Sequence, residues 1–280
     1  MTIDRLESAE QLTGVAETLM ITLYARYLET QRSDRVFRDP KAVAIVERTR
    51  YNFEKYAKGW ASQLGVVIRV REFDRLVTNF LKRYRGATVI NLGCGLCTRF
   101  ERVDNGSVCW YDVDFPEVIE FRRKFFKESD RNRFIATSIL EFAWLDDIKI
   151  SPQQPVLIVM EGVSMYLTEE ENRAIVSQLQ SRFPQAEFVF DVISSSLAKR
   201  TKIHDTVSQT DAEFQFGIDR GRTLESWGEG IALENEIYYL EQYPHYPQRL
   251  PWWAKLLSPV LLLLFKKNGR ILHLKFSSNR

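Results

Sequence analysis

Two glycines and two carboxylates have the residue types and the spacing of a nucleotide site. Gly93 and Gly95 follow directly on the apolar run 87–92. Asp112 and Asp114 follow the next apolar run. Glycines after a buried parallel strand let the backbone turn sharply, so that a ligand can approach closely. Because a carboxylate after the second strand can accept hydrogen bonds from both ribose hydroxyls, the spacing indicates a ligand that contains a nucleoside.

The residues around this turn narrow the class of ligand. Thr98 stands where a dinucleotide fingerprint has its third glycine, which argues against a nicotinamide or flavin cofactor. A nucleoside ligand without phosphates fits better, and S-adenosylmethionine is the common one. Cys94 and Cys97 have the spacing of a redox or zinc pair, but no second pair follows and the chain has only 3 His. We therefore expect no metal site and interpret both cysteines as small packing residues.

Composition limits the class of protein further. The 280 residues suffice for one large domain, and a formal net charge of +2 lacks the basic bias of nucleic-acid-binding proteins. Three cysteines cannot form a disulfide framework, which indicates a reducing compartment. The start of the chain lacks the pattern of a signal peptide, and no apolar run is long enough to span a membrane. We expect a cytoplasmic, single-domain protein without a nucleic-acid partner.

The first third of the chain has helical patterns. Apolar residues at intervals of three and four predict one helix over Ser8–Thr30. Asp39 and Pro40 mark the start of a short helix, and a longer one ends at Gly86. We therefore expect residues 1–86 to form a helical cover over the nucleotide site.

Strand and helix patterns alternate over the core, residues 87–193. The predicted strands are 87–92, 108–111, 134–136, 155–160 and 188–190. Pro116 begins a helix that reaches Glu128, and Thr168 caps another. This alternation predicts a doubly wound α/β fold with a mostly parallel sheet, in which ligands bind at the carboxyl ends of the strands.

The last part of the chain has a different pattern. Residues 194–230 are polar and irregular, which is typical of a lid or substrate loop inserted into a domain. Residues 231–240 and 271–276 alternate in polarity and predict an antiparallel pair of closing strands within 231–280. The sheet is then expected to have seven strands.

Several motifs together resemble the leucine carboxyl methyltransferase family. Residues 91–100 are similar to its Asn-Leu-Gly-Ala-Gly-Leu-Asp-Thr-Arg signature, residues 111–118 to its second motif and residues 161–168 to its third. The N-terminal pattern of the family is matched by Arg26 with Asp39-Pro40 and by Arg69 with Phe73-Asp74. The resemblance covers nearly the whole chain and is strongest to the bacterial branch that methylates polyketides and other small molecules.

This resemblance implies a class I methyltransferase fold and roles for individual residues. Arg69 would pair with the carboxylate of S-adenosylmethionine, although an ordinary surface arginine is the alternative. Gly93 and Gly95 would let the backbone approach the methionine part of the cofactor. Asp114 would bind the ribose, and Glu161 would face the amino group or the sulfonium.

Three further residues are expected to contact the cofactor with weaker support. Ser138 and Ile139 lie where the family contacts adenine, but the family usually has Asp at position 138. Cys97 likewise replaces a typical Asp. Asp112 is a second candidate for the ribose, with a solvated acid at the strand end as the alternative.

The implied reaction is methyl transfer to an oxygen of a small molecule, with a carboxylate as the expected acceptor. No catalytic residue is identified; Tyr166 and His204 are candidates, because a phenol or enol acceptor would need a base. One alternative is a binding module that has lost its chemistry, with Cys97 and Ser138 as signs of drift. The tRNA-modifying branch of the family is another, but the neutral charge argues against it.

The apolar segment 252–267 has tryptophans at one end and lysines at the other, a distribution that suits a membrane interface. We expect it instead to be buried against its own domain or against a second subunit in a homodimer. It also has the composition of a wall for an apolar substrate pocket.

Overall fold

The residues that the computed structural model describes, 6–151 and 153–277, form one seven-stranded sheet with helices on both faces. The strands are β1 (Thr88–Leu92), β2 (Cys109–Asp114), β3 (Asn132–Ala136), β4 (Val156–Met160), β5 (Glu187–Val192), β6 (Ile231–Tyr238) and β7 (Arg270–Phe276). Their spatial order is β3-β2-β1-β4-β5-β7-β6. Neighbours from β3 to β5 pair in parallel, whereas β7 runs antiparallel to both β5 and β6. The structure therefore confirms the doubly wound, mostly parallel sheet and its antiparallel closing pair.

The core lies on both faces of the sheet because β1 is buried on both sides. The helices in chain order are α1 (Leu19–Gln31), α2 (Pro40–Glu47), α3 (Trp60–Arg83), α4 (Arg99–Val103), α5 (Pro116–Arg123), α6 (Glu169–Arg182), α7 (Ser195–Ala198), α8 (Tyr239–Gln242), α9 (Trp252–Leu256) and α10 (Ser258–Phe265). Ile90 belongs to the apolar cluster that contains residues of α6, whereas its neighbour Val89 belongs to the cluster that contains residues of α3. Because successive side chains of a strand point to opposite faces, β1 contributes to the apolar core on both faces of the sheet.

The N-terminal cover is helical as predicted, but its first helix begins at Leu19 rather than at Ser8. Glu7–Ser8 instead pairs in parallel with Thr49–Arg50. Gly14 adopts a left-handed conformation with φ +57°, which interrupts the helical path before α1. The spacing of apolar residues alone reveals neither the short strand Glu7–Ser8 nor the left-handed turn at Gly14.

Local start signals were more informative than periodicity. The Asp39 carboxylate accepts a hydrogen bond from the backbone of Ala42 at 2.9 Å and caps α2. Thr168 and Glu171 form a reciprocal capping box at the start of α6. By contrast, the helix after Pro116 ends at Arg123, five residues before its predicted end.

The segment 252–267 differs from its predicted burial against the domain. It forms α9 and α10, and the exposed fractions of Trp252 and Leu263 are 77% and 83%. Ala254 is buried against the domain, whereas these two side chains face outward. Among the residues that the structure describes, no helix is long and apolar enough to cross a membrane.

Candidate active site

A cavity of about 300 Å³ lies at the carboxyl ends of β1 and β4, where the strand order changes direction. The chain leaves β1 into the loop with Gly93 and leaves β4 into the loop with Glu161. Seven of the residues predicted to contact the cofactor line this cavity: Arg69, Gly93, Gly95, Asp114, Ser138, Ile139 and Glu161. The topology therefore brings together residues from five separate segments of the chain.

The loop after β1 requires glycine for two physical reasons. Gly93 and Gly95 have φ angles of +62° and +48°, in the left-handed region. A Cβ atom on Gly93 would lie 2.3 Å from Cγ2 of Val163. The buried Arg122 donates hydrogen bonds to the carbonyls of Gly95 at 3.0 Å and of Cys97 at 2.8 Å. The loop is therefore held closely against its surroundings at the edge of the cavity.

Asp114 ends β2 with its carboxylate at this loop. One of its oxygens accepts a hydrogen bond from the backbone of Gly95 at 2.7 Å, and the other accepts one from Phe115 at 2.8 Å. Burial raises the pKa of Asp114 to about 6, although both backbone donors act in the opposite direction. Each oxygen of Asp114 has only one donor and can accept a second hydrogen bond. The carboxylate is therefore suited to a ligand with two hydroxyl groups.

Asp112 does not take part in the cavity, which corrects the prediction for this residue. Its exposed fraction is 0%, and one oxygen accepts hydrogen bonds from Asn91 at 2.7 Å and Trp110 at 2.9 Å. The other oxygen accepts a hydrogen bond from Arg122 at 2.7 Å. Successive side chains of a strand alternate between its faces, but residues 112 and 114 share one face. Asp112 nevertheless lies two residues earlier along that face, away from the cavity. Both of its oxygens already accept hydrogen bonds, one of them from Arg122, which supports the glycine loop.

Glu161 lies between two arginines rather than in solvent. Arg69 donates to one of its oxygens at 3.0 Å, and Arg99 donates to the other. Burial alone would raise the pKa of Glu161, but the nearby charges of Arg99 and Arg69 lower it to about 2. The carboxylate therefore stays ionised and fixes the position of both guanidinium groups at the edge of the cavity.

Asp191, at the end of β5, is a site residue that the sequence analysis missed. Its oxygens accept hydrogen bonds from the backbone of Gly162 at 2.6 Å and from Arg69 at 3.3 Å. A Cβ atom on Gly162 would come within 3.2 Å of the Arg69 guanidinium, so the glycine leaves room for it. Ligands bind at the carboxyl ends of parallel strands, so an acid at the end of β5 is a candidate for the same reason as the acids at the end of β2.

An extended set of ion pairs connects this site to the N-terminal cover. Arg99 also donates to Asp74 of α3 at 2.8 Å, and Asp74 accepts from Arg102 at 2.6 Å. Arg26 of α1 donates to Asp39 at 2.7 Å and to the carbonyl of Leu96 in the glycine loop at 2.9 Å. The N-terminal residues that match the family pattern thus hold the cover against the glycine loop.

A second cavity, of about 590 Å³, adjoins the first. Its walls are mostly aromatic and aliphatic and include Ile21, Trp60, Val66, Met165, Ile193, Leu197, Phe214, Tyr243 and Leu250. The residues that line both cavities are Thr18, Thr22, Arg69, Gly162 and Tyr166. Two chambers of different polarity therefore meet at the paired guanidinium of Arg69.

The two candidates for catalysis both line the larger chamber, but neither is an evident base. Burial raises the pKa of Tyr166 to about 12 and lowers the pKa of His204. Nδ1 of His204 accepts a hydrogen bond from the backbone of Val207 at 3.3 Å, whereas Asp205 is 3.6 Å away, too far for a hydrogen bond. A neutral ring with Nδ1 as acceptor carries its proton on Nε2.

Residues 19–180 match the family model described as leucine carboxyl methyltransferase. The chain is 32% identical over 232 residues to the tetracenomycin polyketide synthesis O-methyltransferase TcmP of Streptomyces glaucescens. The aligned region covers 82% of this chain and 85% of that protein. This chain belongs to the leucine carboxyl methyltransferase family.

A second relative agrees with this assignment, and a solved structure shows the same fold. The S-adenosyl-L-methionine-dependent methyltransferase dpfgK of Gibberella zeae is 30% identical over 254 residues, covering 83% of this chain and 85% of that protein. The crystal structure of a DUF574 family protein from Streptomyces avermitilis has a TM-score of 0.57, covering 90% of this chain and 97% of that one. At 13% identity this last likeness shows the shared fold alone.

Membership of the leucine carboxyl methyltransferase family confirms the predicted S-adenosylmethionine-dependent O-methyltransferase and its cofactor. The smaller cavity fits that cofactor because the glycines of the loop and the buried carboxylate of Asp114 both line it. The individual cofactor contacts of all seven lining residues named above stay predictions, including those of Gly93, Gly95 and Asp114. Any contact between Arg69 and the cofactor would add to the ion pairs that its guanidinium already makes with Glu161 and Asp191.

Proposed function

We propose that this member of the leucine carboxyl methyltransferase family methylates a carboxylate of a small, largely apolar molecule held in the 590 Å³ chamber. The observation that carries the proposal is the junction, at Arg69 and Tyr166, of this apolar chamber with the cofactor cavity and its charged side chains. The name of the relative TcmP, a polyketide O-methyltransferase, supports an acceptor of polyketide type. The three cysteines, all unpaired, favour a reducing compartment such as the cytoplasm.

The walls of the chamber suit the binding of a ring system. Trp60 and Phe214 supply aromatic surfaces, and Ile21, Val66 and Met165 supply aliphatic ones. Pockets of this kind bind a ligand mainly through buried apolar surface and orient it through a few polar groups. The polar groups at the junction would therefore select the orientation that brings the acceptor oxygen toward the cofactor.

The protein contributes positioning and exclusion of water rather than acid–base chemistry. When bound, S-adenosylmethionine supplies the methyl group, a good leaving group and a positive sulfonium charge. Arg69 is the one arginine or lysine among the described residues that line the acceptor chamber, and it is paired with Glu161 and Asp191. Methyl transfer to a carboxylate gives a methyl ester and needs no base, because a carboxyl group with a pKa near 4 is ionised at neutral pH.

A phenol or enol acceptor is the second candidate, favoured by the place of His204 and Asp205 in the chamber wall. A phenol with a pKa near 10 must lose its proton during the reaction. His204 would need to change its hydrogen bonding for this role, since its Nδ1 accepts from Val207. The geometry therefore supports the carboxylate more directly.

The nature of the product decides between these acceptors. We would incubate the enzyme with the cofactor and a panel of aromatic acids and phenols, and test whether the methylated product releases methanol in mild alkali. For a carboxylate, the rate should be nearly flat between roughly pH 6.5 and 8.5, and His204→Ala should retain turnover within about tenfold. An alkali-stable product, with a rate that rises with pH and a large loss in His204→Ala, would refute the carboxylate assignment.

We also propose that residues 194–230 act as a lid over the acceptor. This segment contains α7 and several short 3₁₀ helices, and it contributes Leu197, Val207 and Phe214 to the chamber wall. It also packs inward through the buried Leu224. Opening would have to detach the chamber-lining part while the region around Leu224 stays anchored.

A further inference from the structure

An exposed apolar surface lies on α9 and α10, outside both cavities. Among the described residues, twelve large apolar side chains are exposed, and eight of them belong to this short stretch. They are Trp252, Trp253, Leu256, Leu257, Val260, Leu263, Leu264 and Phe265. Single exposed apolar residues are normal on a protein surface, whereas a contiguous group of them marks an interaction site.

The charges within the segment that carries this apolar surface are of one sign. Residues 251–269 contain three lysines and no carboxylate. Lys255 and Lys267 are exposed, and Lys266 pairs with Glu241 at 2.6 Å. An apolar surface with tryptophans and with lysines beside it is complementary to a membrane that has anionic head groups.

The dimensions of the apolar surface favour contact along a bilayer. The eight residues of α10 extend about 12 Å, compared with roughly 30 Å for the hydrocarbon layer. An apolar helix of this length cannot span that layer, so it would enter only the outer part of one leaflet. We propose that the apolar surface of α9 and α10 docks this enzyme on an anionic lipid bilayer.

The apolar surface also borders the acceptor chamber. Trp253, Ala254 and Phe265 contribute to the chamber wall, and Trp253 packs edge-on against Trp60 with ring centroids 5.9 Å apart. Docking would therefore place this wall at the level of the head groups and acyl chains. An apolar acceptor dissolved in the bilayer would then reach the chamber without crossing water; this consequence rests on the proposed function, whereas docking itself does not.

Co-sedimentation of the full chain with vesicles tests the docking. Vesicles of phosphatidylcholine with an anionic phosphatidylglycerol fraction should bind the protein, and pure phosphatidylcholine should bind it at least about fivefold more weakly, the contribution expected from one surface lysine. The double variant Leu256→Ser/Leu263→Ser should lose at least tenfold in vesicle affinity, because both side chains are largely exposed. Leu6→Ser, which changes an exposed leucine outside the apolar surface, should bind as the parent does.

Two measurements keep the test independent of folding and of the reaction. Both variants should bind S-adenosylhomocysteine with unchanged affinity, and neither vesicle experiment requires an acceptor. Equal binding to both kinds of vesicle, or no binding to either, would overturn the proposal. Sedimentation of the parent as a dimer that Leu256→Ser/Leu263→Ser converts to a monomer, without vesicle binding, would assign the apolar surface to a second copy of the chain instead.

Discussion

Replacing Asp114 by Asn should make the protein more stable and its cofactor binding weaker. The pKa of Asp114 is raised by burial from 3.8 to about 6, so the ionised form is disfavoured in the folded protein. This cost is absent below pH 3.8, grows as the pH rises toward 6, and is fully present at pH 7. A shift of this size corresponds to roughly 3 kcal/mol at pH 7.

The expected changes follow from that magnitude. Asn carries no charge, but its one amide oxygen can accept from only one of the two backbone donors, Gly95 and Phe115. The donor that loses its acceptor costs about 1–3 kcal/mol, so the net gain should be at most about 2 kcal/mol. That gain corresponds to a rise in Tm of at most about 6 °C for a chain of this size. Losing charge-assisted hydrogen bonds to the ribose should weaken S-adenosylhomocysteine binding by about 1.5–3 kcal/mol, or roughly 10- to 150-fold.

Thermal denaturation and calorimetry over a pH series measure both effects. In the parent, protonation of Asp114 competes with the ligand, so affinity at pH 5 should be about tenfold below that at pH 7. The Asp114→Asn variant should lack this dependence. Asp112→Asn is the matched control, and it should lower stability by about 3 kcal/mol, because it leaves the buried Arg122 without its carboxylate. A variant at position 114 that is destabilised and binds the ligand normally would refute the assignment of this carboxylate to the ribose.

Three further predictions concern the loop, the ion pairs and the lid. Gly93→Ala should reduce cofactor affinity at least tenfold in calorimetry, because its Cβ would overlap Val163 at a positive φ; normal binding would mean that the loop can move. Glu161→Gln should lower the free energy of unfolding by about 3–5 kcal/mol in denaturant titrations at pH 7, since two buried arginines lose their shared carboxylate. With the pKa lowered to about 2, this difference should persist down to pH 4.5 and shrink only between there and pH 2; a difference that disappears at pH 6 would contradict it. Residues 194–230 should gain hydrogen-exchange protection when cofactor and acceptor are both present, and equal protection in both states would show that the segment is fixed.

The fold could be predicted from the sequence where the signal for a strand or a helix lies within a short stretch of the chain. The apolar run before Gly93, the capping box at Thr168 and the alternation after residue 230 each carry their signal within ten residues. Together with the family motifs they were enough for the sheet and for the cavity at the ends of β1 and β4. The interruption at Gly14 was missed because one left-handed residue hardly alters a helical period.

The site was predicted less completely because its charges pair across long separations in sequence. Asp112 is the second candidate for the ribose, yet its ion pair with Arg122 on α5 holds it in the core instead of the cavity. Glu161 meets Arg69 from a segment 92 residues away. Such pairings depend on how the helices dock on the sheet, which no local pattern records.

The position of β7 between β5 and β6 also constrains how the molecule is made. Because β6 precedes β7 in the chain but pairs only with it, β6 has no place in the sheet until residues 270–276 have been synthesised. The five parallel strands around the cofactor cavity can pair earlier, and β5 then presents an open edge to other chains. As long as β7 is not in place, the open edge of β5 and the apolar segment 252–265 belong to the same incomplete chain, which makes that state prone to association with other chains.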